Sequence, residues 1–323
     1  KSKNIKKMNR VCQILKIQKP VIQAPMSWIT NAALVSAVSN AGGLGVLGPN
    51  AGFPKPVASV KETVECMRKT IRETRRLTDK PFGINIAPSA QDPQGFGKAL
   101  VDLCKEEGIN VIVMAGVLAP AEYRKLKERG FTVIAREMNP SVRGAIEIEK
   151  SGADIIVATG CDEGGCMPIL TNGTISATAL LSSAVKIPVL AAGGIINEKM
   201  AKAAAAVGAE GVFAGTRFIL SKECPSSQAT KDDIMNTHPD DFLVFTHMNG
   251  TSRWRTTPHK TGREGIEENK KGNLNAPCGD FRGSMLLGKV ETGVNSVCNV
   301  APLIKSIDSC KDIVNELARP FNC

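Results

Sequence analysis

Aromatic residues are scarce in this chain: one tyrosine, two tryptophans and ten phenylalanines in 323 residues. Platforms for stacking bases are therefore few and no RNA-binding signature accompanies them, so the net charge of +10 does not read as a nucleic-acid interface. Much of that charge sits in KSKNIKKMNR at the start and in Arg68, Lys69, Arg72, Arg75 and Arg76, beside Glu62, Glu65 and Glu73, as solvated faces do. Histidine is scarcer still. The three are His238, His247 and His259, which leaves the preceding residues without an imidazole. No apolar run approaches the ~18 residues of a spanning helix, so no membrane segment is expected. The basic opening stretch leads into no apolar signal region, and export is not expected either. Ten cysteines occur without paired spacing and read as reduced thiols of a cytoplasmic protein. Cys161 and Cys166 have no second pair or histidine near them in sequence, so no metal site is expected.

What is present is a rhythm of short apolar runs and amphipathic stretches. Strands are expected at Pro20 to Met26, Gly43 to Gly48, Phe82 to Ile86, Val111 to Gly116, Phe131 to Arg136, Asp154 to Thr159, Val189 to Ala192 and Gly211 to Gly215. Helical spacing fills the intervals. Three helix-to-strand joints are near copies: EEGINVIVMAG, KSGADIIVATG and AVGAEGVFAGT, each with a glycine where a left-handed helix cap belongs. Strands apolar on both faces imply a parallel sheet covered by helices. Eight units, with no GxGxxG after the first strand, favour closure over an open sheet. The expected fold is α/β, a TIM (β/α)8 barrel with a C-terminal extension. Its parts are a basic tail over 1–17, a barrel over 18–222, and an extension over 223–323, with a helix packed on the barrel and a polar stretch that reads either as a lid or as a tail ordered only by packing. The segment after Phe218 is expected to supply the last helix, and Gly283 to Leu317 to turn helical again.

The stretch Ala158 to Pro168, ATGCDEGGCMP, follows a buried strand and concentrates acids, glycines and thiols. Gly164 and Gly165 let backbone approach a flat or charged ligand, while Asp162, Glu163 and Cys166 carry acid, base or nucleophile chemistry. In a barrel such residues belong to the C-terminal rim. Gly193, Gly194, Gly215 and Thr216 follow the seventh and eighth strands, where barrels hold a phosphate on backbone N–H groups. A phosphate there points to a cofactor. The rim suits a flat apolar ring, with Met26 and the Gln23 to Pro25 backbone on one side and Asn85 at its edge. Asn85 can also be read as tying a loop, Cys166 as filling space, and Asp162 and Glu163 as capping acids.

Together, IQAPMSWITNAALVSAVSNAGGLGVLG, DKPFGINI, the glycine pair of DEGGC, IPVLAAGGI and GAEGVFAGTRF resemble the nitronate monooxygenase (2-nitropropane dioxygenase) family. That family includes flavin-dependent enoyl-acyl-carrier-protein reductase II and related NAD(P)H:quinone reductases. The resemblance covers about residues 18 to 220 and continues weakly beyond. It implies a cytoplasmic FMN-containing TIM barrel. Ala24, Pro25 and Met26 would line the flavin, Asn85 would contact it, and Gly193, Gly194, Gly215 and Thr216 would hold its phosphate. The signature loop departs from the family pattern Glu-Gly-x-Glu-Ala-Gly-Gly-His: Thr159 stands for the first Glu, Asp162 for the second and Cys166 for the His. An FMN-dependent oxidoreductase acting on a small molecule is expected, oxidising an alkyl nitronate with O2. The alternative is an NAD(P)H-dependent reductase of an activated C=C bond or a quinone, with Cys166 as acid. A homodimer is left open.

Overall fold

The computed structural model describes residues 8–321; the first seven residues of the basic tail lie outside them. In chain order the strands of the first half are β1 (Val21–Gln23), β2 (Gly45–Leu47), β3 (Phe82–Ile86), β4 (Val111–Gly116), β5 (Thr132–Glu137) and β6 (Ile155–Thr159). They are followed by β7 (Gly165–Met167), β8 (Val189–Ala192), β9 (Gly211–Ala214), β10 (Leu243–His247) and β11 (Ser252–Thr256). All but β7, β10 and β11 form one parallel sheet in the order β1-β9-β8-β6-β5-β4-β3-β2. The β1/β2 seam closes it into a barrel. Gln23 N donates to Leu44 O and Leu44 N to Val21 O, both at 2.9 Å. The buried Gln23 side chain extends that short ladder, accepting from Val46 N at 3.0 Å and donating to Val46 O at 3.2 Å.

Alternation along each strand separates two apolar layers. On β5, Ile134 points into the barrel with Ile22, Val113, Val157 and Leu190, while Val133 and Ala135 face the helices. The floor is plugged by α1 (Arg10–Leu15), which buries Val11, Cys12 and Leu15. The described end of the expected tail is therefore part of the core.

Helices α2 (Ala32–Asn40), α3 (Val60–Leu77), α4 (Phe96–Glu106), α5 (Pro120–Glu128), α6 (Val142–Lys150), α7 (Thr174–Ala184) and α8 (Glu198–Ala206) cover the outside. The three repeated joints behave as their sequence predicts: Gly108, Gly152 and Gly208 take φ of +66°, +84° and +106°. The eighth helix does not. After β9 only α9 (Thr216–Ile219) forms, and the outer position between α8 and α2 is filled by a helix far downstream, α13 (Cys310–Ala318).

Between them lie α10 (Gln228–Asn236), the β10–β11 hairpin, α11 (Lys260–Lys270) and α12 (Phe281–Met285). The hairpin pairs with β7 in a three-stranded antiparallel sheet. A small core of Phe245, Trp254, Ala276 and Val294 holds this excursion together. The helix expected over Gly283 to Leu317 is thus two separate helices. The intervening chain, with Gly288, Gly293 and Pro302, has only a 3₁₀ turn at Ala301–Leu303. No helix among the described residues is long and apolar enough to cross a membrane.

Candidate active site

The signature segment leaves β6 at Thr159 and crosses from the barrel to the small sheet. Gly160 N donates to Ala192 O at 3.0 Å, and a Cβ there would lie 2.1 Å from Thr174 N. Residues expected to be a free loop then become β7, with Cys166 opposite Trp254 and Gly165 opposite Arg255. Gly165 N donates to Ser296 Oγ at 2.6 Å, and that hydroxyl donates to Arg255 O at 2.7 Å.

Three arginines hold the carbonyls of this segment. Arg253 Nη2 donates to Pro168 O at 2.8 Å. Arg255 donates from Nη1 to Glu163 O and from Nη2 to Cys161 O, the latter at 3.0 Å. Arg136, at the end of β5, donates from Nη2 to Glu163 Oε1 at 2.5 Å and to Cys166 O at 3.1 Å. Burial lowers the pKa of the Arg255 guanidinium, which has no carboxylate ion-pair partner among the described residues.

A cavity of about 230 Å³ opens beside this segment. Of the residues expected to bind a cofactor, Ala24, Met26, Gly164, Gly165, Gly193, Gly194, Gly215 and Thr216 line it, and Pro25 lies between two that do. Asn85 does not. Its Nδ2 donates to Val113 O at 3.1 Å, and it borders a separate cavity of about 460 Å³ with Asn50, Met67 and Phe96. Among the described residues no acceptor engages the backbone N–H groups of Gly193, Gly194, Gly215 or Thr216. Four amide donors at the ends of β8 and β9 thus share one cavity, which is the donor set an anion requires.

The expected catalytic residues divide. Glu163 and Cys166 line the cavity; Asp162 does not. Asp162 Oδ2 accepts from Thr174 N at 2.6 Å and Oδ1 from Asn299 Nδ2 at 2.8 Å, so its carboxylate caps α7 and ties down the downstream chain. Burial pushes the Glu163 carboxyl up to about 7, against the opposing pull of Arg136 and Arg255. Burial also pushes the Cys166 thiol up, favouring its neutral form.

The opposite wall comes from the excursion: Trp254, Phe281, Met285, Ser296 and Cys298. Trp254 and Phe281 pack with ring centroids 5.6 Å apart. Sequence reasoning missed this wall and Arg136. The alternation in SRWRT, which buries Ser252, Trp254 and Thr256, was the available signal for Trp254. Thr159 Oγ1 and Trp254 Nε1 are buried without a partner.

A closed parallel barrel with its cavity, orphan amides and ionisable groups gathered at the C-terminal rim defines a TIM-barrel enzyme. The sequence profile of the nitronate monooxygenase family matches residues 8–319. The chain is 34% identical over 267 residues to (3aS,4S,5R,7aS)-5-hydroxy-7a-methyl-1-oxo-octahydro-1H-indene-4-carboxyl-CoA dehydrogenase of Mycobacterium tuberculosis, covering 79% of this chain and 66% of that one. It thus spans just under two thirds of that relative's length. A probable nitronate monooxygenase of Staphylococcus aureus is 31% identical over 285 residues, covering 75% of this chain and 76% of that one. FabK from Thermotoga maritima superposes with a TM-score of 0.84 at 33% identity, covering 97% of this chain and 96% of that one. The chain belongs to the nitronate monooxygenase family, a family of flavin-dependent oxidoreductases.

Proposed function

We propose that the protein is an FMN-dependent oxidoreductase whose flavin occupies the rim cavity. The observation that carries this reading is the set of four orphan amides on Gly193, Gly194, Gly215 and Thr216, which suits a phosphate. Ala24, Pro25 and Met26 would face the ring, and Gly165, whose added Cβ would meet nothing within 4 Å, leaves room beside it. FMN would supply the electron transfer. Cys166, Trp254, Phe281 and Met285 would form the wall against the substrate and exclude water. Asn85 lies outside this cavity, so we assign it instead to tying β3 to β4, through its bond to Val113.

Two substrate readings follow. Arg136, bonded to the Glu163 carboxylate, and Arg255, bonded to the Glu163 and Cys161 carbonyls, bring two guanidinium groups to the segment beside the cavity, and their positive charge favours an anion such as an alkyl nitronate oxidised with O2. The second reading, reduction of an activated C=C bond or a quinone by NAD(P)H, is favoured by Glu163 and Cys166. Both are protonated in part or whole near neutral pH and can deliver a proton. The similarity to FabK and to a CoA-thioester dehydrogenase points the same way.

The test is an absorbance spectrum of the purified protein followed by anaerobic titration. A flavin spectrum is expected. Rapid bleaching by NADH or NADPH selects the reductase, bleaching by a nitronate alone selects the monooxygenase, and a colourless protein that takes up no FMN overturns both.

A further inference from the structure

We propose that Arg136 is the positioning residue of this site: from the end of β5 it fixes the Glu163 carboxylate and the Cys166 carbonyl together, leaving Glu163 Oε2 to hold the proton exchanged with substrate. The inference rests on the flavin reading above and assigns the proton-holding atom within it.

The geometry begins with the strand. Ile134 points into the barrel, so Arg136, two residues on, points inward at the top of the same wall. Its side chain is only 12% exposed, and Glu163 is 14% exposed. One nitrogen, Nη2, serves two acceptors that lie on either side of the Gly164-Gly165 pair, the Glu163 carboxylate and the Cys166 carbonyl. A glycine pair has no side chain to hold it, so these flanking contacts act with the Gly165 N–H bond to Ser296 and the pairing with β11 to fix where β7 starts.

Glu163 is the one carboxylate among the cavity-lining residues, and no histidine is among them. Oε1 is engaged by Arg136, while no donor among the described residues engages Oε2. The charged and titratable groups facing Glu163 are Arg136 on β5, Arg255 on β11 and Cys166 on β7. Arg255 spends its hydrogen bonds on the Glu163 and Cys161 carbonyls, so Arg136 is the group bonded to the carboxylate. A carboxyl held near neutrality can be found in either protonation state at physiological pH, as proton exchange requires. In the reductive direction the proton leaves Glu163 Oε2 for the substrate atom that has gained electron density, and the resulting carboxylate stays paired with Arg136. Proton uptake from solvent restores the acid.

The experiment uses the full chain and compares wild type with E163Q, R136Q and R136K. Infrared difference spectra between acid and alkaline pH report the carboxylic C=O band of Glu163 without flavin or turnover. A band titrating near neutrality and absent in E163Q is expected. Its midpoint should rise by about one pH unit or more in R136Q, because burial then acts with one less opposing charge. R136K, whose ammonium is a point charge without the planar fork, should move it in the same direction by less. In the holoenzyme, E163Q should lower kcat by about 10²-fold or more with little change in KM. If R136Q does not fold, R136K decides. An unchanged midpoint in every folded Arg136 variant, or full turnover in E163Q, overturns the proposal. A protein that never binds FMN yet shows the titrating band sinks the flavin reading while leaving the Arg136–Glu163 assignment standing.

Discussion

The Asp162 carboxylate accepts the backbone N–H of Thr174 at 2.6 Å, so the segment that faces the cavity also caps the helix that follows it. Asp162→Ala removes both this bond and the one from Asn299. It should lower stability by about 1–2 kcal/mol, as loss of a helix cap does. Urea denaturation measures this, and the pH profile of turnover should keep its shape. A profile that loses a limb would return Asp162 to the chemistry.

Neighbouring glycines should respond in opposite measure. A Cβ on Gly164 would lie 2.4 to 2.7 Å from the Val297 backbone, whereas one on Gly165 would meet nothing within 4 Å. Gly165 has φ +77°, so Gly165→Ala should cost about 1–2 kcal/mol of backbone strain. Gly164→Ala must push the excursion away from β7 and should cost more, about 3 kcal/mol, with loss of bound flavin. Equal midpoints for the two variants would refute the ordering.

Arg255→Lys keeps the charge but loses the fork that spans Glu163 O and Cys161 O. The released carbonyls should cost about 1–3 kcal/mol in a denaturant titration. Arg253→Lys is expected to cost less, because the Leu170 end of its contact is exposed.

His259 makes stability depend on pH. Its Nε2 lies 2.6 Å from Asp233 Oδ1 and its Nδ1 2.7 Å from Glu291 Oε1. Burial pulls its pKa down, but the two carboxylates outweigh that and leave it raised. Lys260, through its backbone N–H, and Arg263 also face Glu291. A raised folded pKa means the stabilisation is complete below the unfolded value of ~6.5 and is lost as pH rises through the folded pKa. The melting temperature of His259→Gln should therefore fall furthest below wild type at the acid end of pH 5.5–8.5. A constant gap would show that the pair contributes only packing.

The barrel was legible because its signals are local. Short apolar runs, helical stripes and the three glycine caps each lie within a dozen residues of chain, and every expected barrel strand occurs. The rim glycines followed from the strand ends. What escaped depends on distant pairing: Cys166 faces Trp254 only because β7 joins β11, and Arg136 meets Glu163 only because β5 and β6 are neighbours. Asp162 shows a different limit. Its identity announced an acid, but only the position of Thr174 and Asn299 reveals that both oxygens are already engaged. The eighth helix was sought next to its strand, where the other seven lie, and no composition signal at 310–318 distinguishes a barrel stave from a terminal appendage.

That displaced helix also orders the protein's birth. During synthesis the eight barrel strands emerge by Ala214, yet the flank between α2 and α8 stays uncovered until residues 220–309 and then α13 have left the ribosome. Ile313, Val314 and Leu317 are the apolar seal for that flank. A chain whose barrel folded before they arrived would carry an open hydrophobic strip there, and the excursion bearing Trp254 and Phe281 must be made before the wall it serves can be finished.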